Sequence, residues 1–73
     1  MTEELEHLLL LLRTANVPLT AAEIAAKTNT YVATVKRRVE KLIELGFEIK
    51  TSKKRVGARG FMSTAWRLVN HET

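Results

Sequence analysis

At Gly46 the spacing of apolar residues changes, and that change limits what the chain can fold into. Before it, Val35, Val39 and Leu42 stand at i, i+4 and i+7, which puts their side chains on one helical face. After it, Phe47, Ile49 and Thr51 alternate with Glu48 and Lys50, the interval of a strand. Gly46 itself sits where a helix closes on a left-handed residue. A helix from about Tyr31 to Leu45 running into strands defines an α+β chain. Its 73 residues have room for a single domain with one core.

Upstream, Thr2 to about Thr14 reads as a first helix. Thr2 caps it, Glu3, Glu4 and Glu6 suit the positive end of its dipole, and Leu5, Leu8, Leu9 and Leu12 share one face. Leu10 and Leu11 widen that stripe. Two readings stay open for them: a helix buried on most sides, or a homodimer contact that includes His7. Asn16-Val17-Pro18 breaks the helix, and Leu19 falls in a short extended segment. Thr20-Ala21-Ala22-Glu23 is a capping box that starts a short second helix running to about Lys27. Asn29 is the candidate for a left-handed turn residue, and Thr30 is the expected cap of the third helix. Ser52 to Ser63, with Gly57 and Gly60 among basic residues, reads as a loop. Thr64 to Val69 reads as a second strand pairing with the first in an antiparallel hairpin. Trp66 and Leu68 point one way, with Trp66 in the core, and Arg67 points the other.

Charge separates along this order. Before Lys27 there is one base, Arg13, against Glu3, Glu4, Glu6 and Glu23. From Ile49 to Asn70 there are Lys50, Lys53, Lys54, Arg55, Arg59 and Arg67 with no acid, within a net charge of +4. A one-sided basic field attracts polyanions. The absence of cysteine excludes disulfides and thiolate metal sites and permits a reducing cytoplasm. The longest apolar run, Leu8 to Leu12, is far below the roughly 20 residues of a membrane span. No targeting segment is read ahead of it.

Helix, short helix, turn, longer helix and basic hairpin is the order of a helix-turn-helix with a wing. The major groove of DNA admits such a second helix, which reads bases from its N-terminal half. Tyr31, Val32, Ala33, Lys36 and Arg37 lie there, away from the Val35 face. Lys36 and Arg37 are suited to guanine edges or phosphate, and Val32 and Ala33 to a thymine methyl. Thr34 serves either a phosphate or a local cap. The plainer reading of Lys36 and Arg37 is a solvated face paired with Glu40. In the hairpin, Lys53, Lys54, Arg55 and Arg59 around Gly57 are suited to phosphates or a narrow minor groove. Phe61 and Met62 call for burial or a partner.

These residues resemble a known pattern. Thr20-Ala21-Ala22-Glu23-Ile24-Ala25, Ala33-Thr34-Val35-Lys36-Arg37-Arg38-Val39 and Leu42-Ile43-Glu44-Leu45-Gly46-Phe47 look like bacterial winged-helix regulators. The stretch from Leu42 through Arg67-Leu68 is similar to the DNA-binding domain of the biotin operon repressor and its relatives. The resemblance implies a winged helix-turn-helix, a three-helix bundle followed by an antiparallel β-hairpin wing, that binds operator DNA, usually as a dimer. It implies recognition positions at Tyr31, Val32, Ala33, Lys36 and Arg37 and wing positions at Lys53, Lys54, Arg55 and Arg59. The turn departs from the common Leu-Gly-Val-Ser, being Thr28-Asn29-Thr30-Tyr31, and the wing is longer than usual. A domain of this size is also similar to small phage or plasmid regulators.

The expected function is therefore a double-stranded DNA-binding transcriptional regulator. A competing reading is a protein-interaction module working through the leucine-rich first helix, because fold does not fix function. Single-stranded RNA is a weaker variant, since few aromatics are present for stacking. Nothing points to an enzyme. His7 and His71 lie near opposite ends, there is no Asp, and Glu23 is accounted for as a cap. No cofactor, metal cluster or small-molecule substrate is expected.

Overall fold

The structure, a computed structural model, describes residues 1–57 and 60–69. The expected wing contact Arg59, and His71, lie outside the described residues.

Helix α1 (Glu3–Thr14) begins as its capping residue requires, with Thr2 Oγ1 accepting the Leu5 N–H at 3.3 Å. Leu5, Leu8, Leu9 and Leu12 are buried. Leu11 belongs with them in part: it packs against the core, so only Leu10 of the expected dimer pair stays exposed. The physical reason is that the helix is covered on two sides, by α3 (Val32–Glu44) and by β3 (Phe61–Leu68).

After Pro18 comes β1 (Leu19–Thr20), then α2 (Ala21–Thr28). The capping box is complete. Thr20 Oγ1 accepts the Glu23 N–H at 3.1 Å, and Glu23 Oε1 accepts the Thr20 N–H at 2.8 Å. Asn29 takes the left-handed conformation at φ 54°, as its amide side chain allows. Thr30 is not the cap of α3. Its N–H closes α2 on the Ala25 carbonyl at 3.0 Å, and the extended Tyr31 occupies the cap position without a side-chain bond. At the other end of α3, Gly46 at φ 101° donates to the Ile43 carbonyl and Phe47 to the Leu42 carbonyl. That is a Schellman closure, and Phe47 packs back on the core as the motif favours.

The sheet runs β1-β3-β2, all antiparallel, with β2 spanning Ile49–Val56. Leu19 pairs with Trp66 and Thr20 with Ala65, so the short segment after Pro18 becomes a third strand. The hairpin is longer than its pattern predicts. Ser52 to Val56 and Phe61 to Ser63 are strand, and Gly57 and Gly60 lie in turn conformation between them, with the Gly60 N–H donating to the Gly57 carbonyl at 3.4 Å. Alternation is lost there because that half of the hairpin projects past the core. With no core side chain to bury there, backbone pairing and a few polar contacts such as those of Lys54 hold it.

Ile24, Val35, Val39, Leu42 and Leu12 fill the core, and Trp66 closes it from the sheet. The result is the expected winged helix-turn-helix. Among the described residues no helix is long and apolar enough to cross a membrane.

Candidate nucleic-acid interface

Burial of Val35, Val39 and Leu42 sets the rotation of α3, and that rotation decides what its other residues face. At about 100° per residue, Lys36 sits on the flank beside the sheet. Arg37, one residue on, points directly away from the core. Tyr31, at 81% exposure, and Val32 and Ala33 complete an open surface over the first turns, while Thr34 is half-buried. Neither Lys36 nor Arg37 pairs with Glu40 in an ion pair among the described residues. The solvated-pair reading therefore has no contact behind it.

Lys36 and Val32 line one side of a groove of about 210 Å³ whose other side is Ser63 and Thr64 of β3. Thr20, Ala21, Ala22 and Trp66 complete its lining. Lys53 stands directly opposite Thr64 in the hairpin and donates from Nζ to Thr64 Oγ1 at 3.1 Å. Lys36 thus borders the groove that Thr64 lines, and Lys53 donates to that same threonine, which brings a cation of the helix and one of the wing to one groove. Arg37 lines a separate groove with Thr2, Leu5 and Lys41, so it lies farther from the wing than Lys36 does.

Arg55 lies farther out on the face shared with Lys53 and Thr64, opposite Met62. Its side chain folds along the turn, so that a Cβ added at Gly60 would lie 3.7 Å from Arg55 Nε.

Lys54 departs from the expected wing set. It lies on the face opposite Trp66 and reaches back across the sheet. Its Nζ meets both Glu23 oxygens at 3.1 Å and the Pro18 carbonyl at 3.0 Å. Glu23 is held below its usual carboxylate value by the Thr20 backbone N–H first and by the Lys54 ammonium second. The base read as a phosphate contact instead ties the wing to the cap of α2.

Two features of the surface take their place from the hairpin register. Ser63 and Thr64 fall in the stretch read as loop and strand end, and they acquire their place only from the hairpin register. Phe61 and Met62 call for burial by their chemistry, yet they stand 66% and 54% exposed at the far end of the wing.

Neither curated proteins nor solved structures yield a match to this chain. The family model described as HTH domain matches residues 4–61, from the first helix to the start of β3. With three helices, the turn at Asn29 and the paired wing in place, the chain belongs to that helix-turn-helix family of DNA-binding domains.

Proposed function

We propose that the protein is a transcriptional regulator that binds double-stranded DNA. The N-terminal half of α3 enters the major groove, and the wing rests on the flanking backbone or minor groove. Tyr31, Val32, Ala33 and Arg37 meet base edges, Thr34 and Lys36 serve the groove wall or phosphate, and Lys53 and Arg55 take phosphates. The observation that carries this reading is the groove shared by Lys36 of α3 and Thr64 of the wing, where Thr64 also accepts from Lys53. Lys54 is left out of the contact set because its charge is already met by Glu23.

Selection from a random duplex library, followed by titration across salt, tests the proposal. Three cations meeting phosphate, Lys36, Lys53 and Arg55, give a log–log salt slope of about −2 to −3 per copy. Arg37→Ala is expected to weaken selected sites more than random duplex, and Lys53→Ala to weaken both alike. No binding to any duplex at low salt ends the reading. A selected site with two-fold symmetry makes the bound form a dimer, for which Leu10 is the exposed residue on α1.

A further inference from the structure

We propose that a pocket between the three helices binds a small zwitterion, an α-amino acid with an apolar side chain. The pocket has a volume of about 210 Å³ and lies beside the turn that joins α2 to α3. It shares no residue with the groove of Lys36 and Thr64.

Each helix gives the pocket a buried apolar residue and, one turn along, a polar one. On α1 these are Leu8 and Glu4, on α2 Ile24 and Thr28, and on α3 Val35 and Arg38. Spacings of three and four residues put each pair on one helical face. Leu8, Ile24 and Val35 are at most 2% exposed, so they form a floor let into the core. Glu4 is exposed and Arg38 half-buried, which sets the charged groups nearer the rim.

The charges define the ligand. Arg38 makes no hydrogen bond or ion pair among the described residues. A partly desolvated guanidinium costs stability until an anion meets its donors, and a carboxylate fits its fork with two parallel bonds. Glu4 lines the same pocket yet does not pair with Arg38. An acid and a base that share a pocket without touching suit a molecule carrying both opposite charges, its carboxylate on Arg38 and its ammonium on Glu4. The Thr28 hydroxyl already donates to the Ile24 carbonyl at 2.7 Å. The Asn29 side-chain amide and the Thr30 hydroxyl, also on the lining, have no hydrogen bond among the described residues and can orient the ligand's polar groups. The plainer account of Glu4 is its place at the positive end of α1, but that leaves Arg38 without a partner.

Size narrows the class. A cavity of about 150 Å³ accommodates benzene, so about 210 Å³ takes a branched aliphatic side chain together with the groups on its α-carbon. A bare anion would leave Glu4 and the apolar floor without a role, and a purely apolar molecule would leave Arg38 unmet.

The test needs no DNA, so its outcome is independent of the function proposed above. The isotope-labelled full chain is titrated with leucine, valine and methionine and followed by amide NMR. Saturable shifts are expected at His7, Leu8 and Thr28 to Thr30, with a Kd in the millimolar range or below. No saturable shift with any of the three, or shifts centred on the wing, overturns the proposal. Isocaproate and isoamylamine, which lack the ammonium and the carboxylate of leucine in turn, are expected to bind about tenfold more weakly or worse. If either binds as well as leucine, the site is not one for zwitterions and the proposal falls. Arg38→Met and Glu4→Gln are each expected to weaken leucine binding by about tenfold or more. Methionine keeps the apolar stem of Arg38 and Glu4 is exposed, so both variants fold, which circular dichroism checks. Glu4→Gln decides alone should Arg38→Met unfold. Unchanged affinity in a folded variant overturns the proposal. So does strong coupling of the two substitutions in ligand-free urea unfolding, which would show that Glu4 and Arg38 pair with each other.

Discussion

Lys53 and Lys54 are neighbours of identical chemistry, and the hairpin gives them opposite work. Replacing each by methionine keeps the apolar stem and removes only the charge. At Lys54 this strips the ammonium from both Glu23 oxygens and from the Pro18 carbonyl. A hydrogen bond to a charged group contributes about 1.5–3 kcal/mol when well shielded. Here the two side chains are 31% and 38% exposed, so solvent screens much of that, and the expected loss is about 1 kcal/mol. For a domain of this size that lowers Tm by about 4–8 °C. Urea unfolding measures the same loss without added salt, and Glu23→Gln in a double-mutant cycle isolates the pair. Lys53→Met touches only an exposed hydroxyl contact, so stability stays within about 0.5 kcal/mol. The DNA titrations should then reverse the order. Lys53→Met flattens the log–log salt slope by about 0.9, and Lys54→Met leaves it unchanged. A Lys54→Met protein of wild-type stability with a flattened slope would refute the division of labour.

Two further outcomes follow from local structure. Asn29→Ala is expected to lower stability by about 1 kcal/mol because alanine resists the left-handed backbone, while Asn29→Gly holds or gains stability in the same thermal melts. Glu23 is lowered from its ordinary 4.5 by Thr20 and Lys54, so its contribution is complete above that value and fades as pH falls through the lower folded value. The wild-type midpoint should therefore drop below pH 4.5 more steeply than that of Glu23→Gln, and parallel curves would show that the pair adds nothing.

Much of the fold is legible because its signals are local. Thr2, the Thr20–Glu23 box, Asn29 and Gly46 each govern the backbone within a turn of themselves, and each does in space what its chemistry calls for. The periodicity of Val35, Val39 and Leu42 likewise suffices to rotate α3 and expose Lys36 and Arg37. Thr30 misleads for an equally local reason. Its N–H closes α2 on the Ala25 carbonyl, and α3 opens one residue later on the extended Tyr31, which makes no side-chain cap bond.

What the sequence hides depends on pairing between distant segments. The outer half of the wing buries nothing, so it leaves no alternation to read, although its backbone is paired out to Val56 and Phe61. Strand parity then separates Lys53 from Lys54. One falls on the face of Thr64 and Trp66, the other on the face from which it reaches a carboxylate 31 positions earlier. A run of bases in a sequence therefore overstates the charge available to a polyanion. The useful cations are those left over after the fold has met its own carboxylates, and here the register of a single hairpin makes that selection. The same register leaves Phe61 and Met62 exposed at the outer end of the wing, on opposite faces of the hairpin.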